Sequence, residues 1–106
     1  HHPTYLYRKA LAKHKTTFIS KLKHIENGKI ITIAGMIIKR QRPPTARGIH
    51  FITLEDQTGI INVIVYPSIQ KSYLQEYFSK FVIIEGKTQH KHGSTNFIAQ
   101  ILKTPQ

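Results

Sequence analysis

The stretch that decides the fold is residues 40–67, RQRPPTARGIHFITLEDQTGIINVIVYP. Its second half contains two runs, Ile49–Glu55 and Ile60–Tyr66, in which apolar and polar residues alternate. This alternation is typical of half-buried strands. The segment Asp56-Gln57-Thr58-Gly59 between the runs ends in glycine, and it predicts a β-hairpin. The first nine residues contain three arginines, two adjacent prolines and no acid. A stiff cationic loop therefore lies directly before a hairpin.

The elements on either side of this stretch are also predictable. Lys29–Arg40 is rich in β-branched residues and predicts a long strand, in which Gly35 indicates a bulge or a sharp bend. Pro67 opens a predicted helix that extends to about Ser79. Five apolar or aromatic residues line one side of that helix: Ile69, Tyr73, Leu74, Tyr77 and Phe78.

The end of the chain predicts a second pair of strands. Phe81–Thr88 and Thr95–Lys103 have the strand pattern, and the polar residues 89–94 predict a loop between them. The predicted order is three strands, a helix and two strands, with a bent first strand. This is the order of an OB-fold, an all-β five-stranded barrel whose second and third strands and flanking loops bind nucleic acids.

Residues 1–28 predict a short helical N-terminal extension, and residues 29–103 predict the OB-fold domain. Residues 3–25 have helical periodicity. Thr16 or Thr17 is the expected cap of a second short turn in this extension. That turn carries the apolar residues Phe18, Ile19, Leu22 and Ile25.

The alternation within the hairpin assigns its side chains to two faces. We expect Ile52 and Leu54 to point into the barrel, together with Ile61, Val63 and Val65. The outer face then presents Phe51, Thr53, Glu55, Asn62, Ile64 and Tyr66. Aromatic rings on an exposed OB sheet stack on bases, so Phe51 and Tyr66 are predicted stacking platforms. The alternative is that Phe51 is buried beneath the N-terminal helices.

The charge distribution indicates a polyanionic partner. The chain has 16 Lys and Arg against five Asp and Glu, a net charge of +11. Residues 1–47 account for +10 and residues 48–106 for only +1. Such one-sided positive charge favours binding to nucleic acids, because binding releases counterions from their phosphates. A generally basic proteome, or a fragment cut from a larger balanced protein, is the alternative explanation.

Several classes of site lack support in the sequence. There is no cysteine, no apolar run long enough for a membrane span and no signal-peptide pattern, so we expect a cytoplasmic protein with no membrane contact. His90 and His92 form at most half of a metal site, and we expect neither a metal nor a cofactor. No pattern supports a nucleophilic triad or a Walker-type loop. We also expect Asp56 to bond the local backbone as a turn residue.

The loop before the hairpin is the predicted phosphate contact. Arg40, Arg42 and Arg47 carry forked donors that match phosphate oxygens. Pro43-Pro44 restrict the loop before binding, and this lowers the entropy lost on association. Thr45 adds a hydroxyl donor. A solvated surface charge, or a pair with Glu55, is the alternative for any one arginine.

Two further positions complete the predicted groove. Gly48 permits close approach where the loop re-enters the sheet. Lys91, His92 and Ser94 are expected to close the groove from its other side. The predicted nucleic-acid-binding residues are therefore Arg40, Arg42, Thr45, Arg47, Phe51, Thr53, Asn62, Tyr66, Lys91 and His92.

The motif Arg-Gln-Arg-Pro-x-Thr-Ala-Arg-Gly at residues 40–48, continuing through residues 51–56, 58–59 and 62–67, resembles a known family. It is similar to the OB-fold domain near the C-terminus of bacterial error-prone DNA polymerases, C-family paralogues of the replicative polymerase III alpha subunit. Ile33-Ala34-Gly35 and His2-Pro3 also fit, so the resemblance covers most of the chain. Members of that family usually have glycine where Pro44 stands and tryptophan where Tyr66 stands.

The resemblance implies a single-stranded DNA-binding module of a polymerase used in translesion, damage-induced synthesis. The parent protein would be a DNA-directed DNA polymerase whose magnesium-binding carboxylates lie elsewhere, so no catalysis is expected in these residues. We expect an isolated domain that is monomeric. Two alternatives stay open: an OB-fold that binds RNA, such as an anticodon-binding module, and a protein-interaction module that recruits polymerase accessory proteins.

Overall fold

The computed structural model describes residues 15–105, which form a closed five-stranded barrel. The strands are β1 (Ile30–Gln41), β2 (His50–Asp56), β3 (Gly59–Val65), β4 (Phe81–Lys91) and β5 (Ser94–Lys103). Their order around the barrel is β1-β2-β3-β5-β4. β3 and β5 pair in parallel, and every other pair is antiparallel. The predicted OB-fold is therefore confirmed.

The β2–β3 hairpin has the predicted register and faces. Phe51 lies opposite Ile64 and Thr53 opposite Asn62, and these side chains are exposed or partly exposed. The alternate residues are buried in the barrel: Ile52, Leu54, Ile61, Val63 and Val65. Because a strand turns successive side chains to opposite faces, burial of one set leaves the other on the outside.

The connection between β3 and β4 contains two short helices rather than the single predicted helix. α1 is Pro67–Ser72 and α2 is Leu74–Tyr77, with a break at Tyr73, whose φ of −128° and ψ of 47° are not helical. Only Ile69, Tyr73 and Tyr77 contact the core, while Leu74 and Phe78 are 48% and 64% exposed. The residues that face the core are spaced four apart. The prediction that Leu74 and Phe78 lie on the same side of the helix as these residues was therefore wrong. Within residues 15–105, no helix is long and apolar enough to cross a membrane.

The described part of the predicted N-terminal extension packs on the barrel. A 3₁₀ helix, η1 (Ile19–His24), places Ile19 and Leu22 in the same core as the strands. η1 covers the end of the barrel that carries the β2–β3 turn, whereas α1 and α2 cover the opposite end. The helix predicted for residues 3–14 lies outside the described residues.

The N-terminus of η1 is capped by the hairpin and not by Thr16 or Thr17. Phe18 holds the N-cap position and makes no side-chain cap bond. Instead, Ile19 N–H donates to Asp56 Oδ2 at 2.8 Å, and the next amide donates to Thr58 Oγ1. Helix N-termini leave backbone N–H groups unsatisfied, and here a distant turn supplies the acceptors. The expected local capping was therefore wrong.

Two glycines allow backbones to approach closely within the barrel. A Cβ at Gly35 would lie 2.5 Å from the carbonyl oxygen of Glu55, so β1 and β2 fit together only without a side chain there. The register shift of β1 lies between Ile37 and Lys39, just beyond the bend predicted at Gly35. Gly86 packs in the same way against the backbone of Ile98.

The β4–β5 connection is a tight turn rather than a six-residue loop. Both strands continue through the predicted loop until Lys91 pairs with Ser94. Only His92 and Gly93 remain between them, with φ values of 53° and 79°. A two-residue type I′ turn requires positive φ at both positions. The polar residues 89–94 thus belong to the ends of two strands and to the two-residue turn between them.

Candidate nucleic-acid interface

The outer face of β2 and β3 presents one aromatic ring among polar groups. Phe51 is partly exposed, and the helix predicted for residues 3–14, which the alternative would place over it, lies outside the described residues. Thr53 Oγ1 donates to Asn62 Oδ1 at 3.4 Å across the two strands, and both side chains lie on this face. Ile64 pairs with Phe51 and flanks its ring with an apolar surface. The face therefore offers a ring for stacking and polar groups beside it.

The β1–β2 loop holds its arginines at one end of this face. Pro44 occupies the first turn of a short 3₁₀ helix, η2 (Pro44–Ala46), where proline is favoured. Thr45 in this helix is exposed, as are Arg42 and Arg47 at either side of it. Arg47 has a φ of 52°, a left-handed conformation that is uncommon for a long side chain. Gly48 follows with a φ of +83°, and a Cβ there would lie 3.3 Å from Pro67 Cγ, closer than an ordinary van der Waals contact.

Arg40 has a structural position that differs from the predicted one. Its Nε donates to the carbonyl of Tyr77 at 2.9 Å and its Nη2 to that of Ser79 at 2.7 Å. The guanidinium also lies over the rings of Tyr77 and Phe78, at 5.8 Å and 5.7 Å from their centroids. Because the register shift in β1 pairs Arg40 with the inward-facing Ile52, its side chain reaches the end of α2. Arg40 therefore anchors α2 to the barrel.

The β1–β2 loop, residues 42–49, is called the arginine loop here. The β4–β5 turn lies at the opposite end of the face from it. Lys91, His92 and Ser94 are exposed. β5 runs parallel to β3 from Asn96 opposite Asn62, so the turn lies near the start of β3. The loop and the turn bracket the length of β2, about 20 Å for seven residues.

Both ring nitrogens of His90 make hydrogen bonds, so neither is free to form a metal site with His92. Its Nδ1 lies 2.9 Å from Thr95 Oγ1, and its Nε2 contacts the carbonyl of Ile25. His92 lies in the turn. Within residues 15–105, no group of three or more His, Cys, Asp or Glu is arranged to hold a metal.

Tyr66 lies just beyond β3, at the end of the face that carries the arginine loop. Its side chain is 43% exposed, as the alternation predicts. Its carbonyl accepts bonds from Ile69 and Gln70 at 3.0 Å, so the same residue begins α1. The backbone of Tyr66 is thereby fixed while its ring stays accessible.

Three further residues share the outer face but did not emerge from the sequence. Lys39 pairs with Thr53, and Gln41 with Phe51. Asn96 on β5 pairs with Asn62 on β3. The bulge in β1 hid the first two, because a strict alternation through Ile38 assigns them to the wrong face. Asn96 required knowledge of the parallel β3–β5 register.

Two titratable groups near the arginine loop have shifted pKa values. Burial, followed by the positive charge of Arg42, lowers the pKa of His50. Burial raises the pKa of Tyr77, against an opposing effect of Arg40. His50 Nδ1 lies 3.0 Å from the Tyr77 hydroxyl, so the two groups are in contact. The neutral forms of both are favoured beneath the cationic loop.

Comparison with known proteins identifies the relatives of this chain. An error-prone DNA polymerase of Pseudomonas syringae pv. syringae is 36% identical over 102 residues, which cover 95% of this chain. The chain is homologous to one segment of the error-prone DNA polymerases. Those of Saccharophagus degradans and Bradyrhizobium diazoefficiens are 37% and 35% identical over 99 and 101 residues, covering 92% and 93% of this chain. No protein-family model matches.

The matched segment is a small part of each relative. The chain spans only 9–10% of the length of the error-prone DNA polymerases that it matches. Because the matches cover 92–95% of this chain, they include most of the barrel, with the arginine loop and the hairpin.

Solved structures independently support the fold. Asparaginyl-tRNA synthetase from Pyrococcus horikoshii superposes with a TM-score of 0.71 over 87% of this chain and 23% of the synthetase, at 19% sequence identity. The hypothetical protein ygiW from E. coli superposes with a TM-score of 0.65 over 84% of this chain and 88% of its own, at 16% identity. At such low identity these similarities concern the barrel alone.

Proposed function

We propose that the chain is a single-stranded DNA-binding module of an error-prone DNA polymerase. It holds the template strand during translesion synthesis without reading its sequence. Phosphate contacts come from Arg42 and Arg47, and base stacking comes from Phe51 with Tyr66 beyond it. Contacts to phosphate and to ring faces carry no direct sequence information, so they suit a polymerase that must copy any template.

One observation carries this proposal. The partly exposed ring of Phe51 lies on a face that the arginine loop brackets at one end and the Lys91–Ser94 turn at the other. A positive groove with an aromatic floor is the arrangement by which OB-folds bind single strands. Homology to a segment of DNA polymerases adds the template strand as the expected ligand.

The role of Arg40 in this proposal is indirect. Its hydrogen bonds to the carbonyls of Tyr77, the last residue of α2, and of Ser79 just after it hold the end of the helix against the end of β1, just before the loop begins. We therefore assign phosphate contact to Arg42 and Arg47 and positioning of the loop base to Arg40. Thr45, Thr53, Asn62, Lys91 and His92 line the same path and supply secondary polar contacts.

A salt titration of binding tests the proposal. Fluorescence anisotropy with labelled oligothymidylate gives the dissociation constant at each salt concentration. With about three to five phosphate contacts, the log–log slope should be about −2 to −3.5. The double variant Arg42→Ala/Arg47→Ala should flatten the slope by about 1.4. Phe51→Ala should weaken binding by about 1–3 kcal/mol with little change in slope.

Matched variants separate these effects from general loss of charge or fold. Lys29→Ala/Lys87→Ala removes the same charge from the start of β1 and from β4, a strand that pairs with neither β2 nor β3, and it should leave the slope unchanged. Phe51→Tyr retains a ring and should bind nearly as well as the parent. Equal flattening of the slope by both double variants would refute specific contact by the loop. Tighter binding of a matched oligouridylate would favour the RNA-binding alternative.

A second candidate function, docking of a protein partner, has one observation in its favour. Ile38, Leu74 and Phe78 are large apolar side chains that are 53%, 48% and 64% exposed, and such side chains mark docking sites where they form a contiguous patch. A polymerase accessory protein, or the remainder of the polymerase, is the corresponding partner. A salt-insensitive complex with such a protein, without any oligonucleotide binding, would support this candidate over the first.

A further inference from the structure

Two clefts adjoin beside the arginine loop, outside the β2–β3 face. The first, of about 360 Å³, lies between the loop and α1 and is lined by Arg42, Arg47, His50 and Lys71 among others. The second, of about 180 Å³, lies towards α2 and is lined by Arg42, His50, Tyr77 and Phe78 among others. Arg42 and His50 belong to both, so the clefts share a wall. We call them the basic cleft and the aromatic cleft.

The basic cleft is suited to an anion. Its lining residues within 15–105 include three cations and no carboxylate. Arg42 and Arg47 come from the loop, whereas Lys71 comes from α1, so two separate elements direct positive charge to one volume. Clefts of one sign with low-dielectric walls concentrate counterions. The left-handed backbone at Arg47 is a strained conformation of the kind found at ligand clamps.

The aromatic cleft is suited to a planar base. Phe78 is 64% exposed, the highest exposure among the large apolar side chains of residues 15–105. Its ring is held by an edge contact with Tyr77, at 5.0 Å between centroids and an interplanar angle of 88°, and by the guanidinium of Arg40. An exposed ring with a fixed orientation is a stacking platform that requires little ordering on binding.

The geometry points to a subsite for one nucleotide of a single strand. Its phosphate binds in the basic cleft between Arg47 and Lys71, and its base stacks on Phe78. The subsite is continuous with the β2–β3 face, because Gln41 lines the aromatic cleft and pairs with Phe51. This inference rests on the proposed function, and it extends the path of the strand from β2 to the helices.

His50 provides a reporter between the two clefts. Burial and the charge of Arg42 lower the pKa of His50 in the free protein. A bound phosphate counteracts the surrounding positive charge, so the pKa of His50 should rise when the strand binds. The charged and titratable groups that surround it come from the loop, from β1 and from both helices: Arg40, Arg42, Arg47, Lys71 and Tyr77.

Two single variants test the subsite by anisotropy with oligothymidylate. Lys71→Ala should reduce the magnitude of the salt slope by about 0.7, the value for one phosphate, and so weaken binding about eightfold at about 50 mM salt. Phe78→Ala should weaken binding by about five- to 150-fold without changing the slope. Lys87→Ala and Leu74→Ala are the matched controls, and both should bind as the parent does.

The outcomes separate failure of the subsite from failure of the proposed function. If Phe51→Ala weakens binding but Lys71→Ala and Phe78→Ala do not, the subsite is overturned and the function stands. If the parent binds no oligothymidylate at low salt, both are overturned. Loss of binding in Leu74→Ala equal to that in Phe78→Ala overturns stacking in favour of a general apolar contact. An unchanged pKa of His50 in the complex, measured by NMR, overturns the placement of the phosphate.

A further pair of ligands identifies the source of the phosphate. Oligothymidylates with and without a 5′-phosphate should bind the parent equally if the basic cleft takes an internal phosphodiester. Tighter binding of the phosphorylated strand, lost in Lys71→Ala, identifies a terminal phosphate. Both results support the subsite, whereas a preference that persists unchanged in Lys71→Ala contradicts it.

Discussion

Asp56 joins the β2–β3 turn to η1, and its replacement gives a graded stability prediction. The carboxylate is 3% exposed and accepts four hydrogen bonds. Oδ1 accepts from Thr58 N–H, Thr58 Oγ1 and Gly59 N–H, at 2.6–3.1 Å. Oδ2 accepts from Ile19 N–H, 37 positions earlier in the chain. This side chain therefore closes the turn, as the sequence predicts, and also caps the 3₁₀ helix.

The magnitude follows from the donors that the substitution leaves behind. In Asp56→Ala the buried Ile19 N–H loses its acceptor, which costs about 1–3 kcal/mol. The two turn amides are only partly buried and regain water, so each costs about 0.5–1.5 kcal/mol. We expect a total destabilisation of about 4 kcal/mol. For a domain of this size, that lowers the midpoint of thermal unfolding by about 16–32 °C.

Asp56→Asn separates the two functions of the carboxylate. The amide oxygen retains the three turn bonds, while the amide nitrogen opposes Ile19 N–H with a second donor. We expect about 1–3 kcal/mol of destabilisation, between the parent and Asp56→Ala. Gln57→Ala, an exposed neighbour in the same turn, is the control and should change stability by less than about 0.5 kcal/mol.

Urea unfolding followed by far-UV circular dichroism measures these differences, with the slope of the transition checked for constancy. A loss of less than about 1 kcal/mol in Asp56→Ala would refute the link between hairpin and helix. Equal stability of Asp56→Asn and the parent would show that Ile19 N–H has another acceptor.

Three other outcomes are expected. Gly86→Ala should destabilise the barrel by about 3 kcal/mol or more, because its Cβ would collide with the backbone of β5. Gly59→Ala should cost less than about 1 kcal/mol, because its Cβ would make only an ordinary van der Waals contact with Ile19 Cγ2 at 3.8 Å. Arg40→Ala should lower stability by about 1–3 kcal/mol and leave the salt slope of DNA binding unchanged, because its donors bind the carbonyls of Tyr77 and Ser79. The lowered pKa of His50 means that the unfolded chain binds the proton more tightly, so stability should fall as the pH drops below about 6.5. Arg42→Ala should raise the pKa of His50 and weaken that dependence, which NMR titration of the imidazole measures.

The hairpin was the most predictable part of the structure. Along both strands every second residue is buried, and a shift of one residue would expose Ile52 and Leu54 while burying Thr53. Local sequence therefore determined strand, register and face together. The same argument placed Phe51 on the outside.

Elements whose position depends on distant partners were less predictable. The polar run before Ser94 gave no sign that its strands continue to a two-residue turn, because exposed strand ends and loops share the same composition. The helical pattern after Pro67 did not show the break at Tyr73. The sequence predicted the same phosphate-binding role for Arg40, Arg42 and Arg47. The register shift in β1 instead directs the side chain of Arg40 to α2.

The two clefts could not be predicted from sequence at all. Arg42 and Lys71 are 29 positions apart, and no local pattern relates them. Their meeting depends on the way in which the β1–β2 loop and α1 fold over the same end of the barrel. Phe78 fits a helical apolar stripe in the sequence, and only the packing of Tyr77 into the core turns it outward.

Chemical-shift mapping of the ¹⁵N-labelled chain with a short oligothymidylate tests the central claim most directly. At low ionic strength the amides of Phe51, Thr53 and Asn62 and those of the Arg42–Arg47 loop should shift, while the β4 amides around Lys87 should not. Shifts confined to β4 and the start of β1, or no shifts at all, would contradict the assignment of the strand to the β2–β3 face.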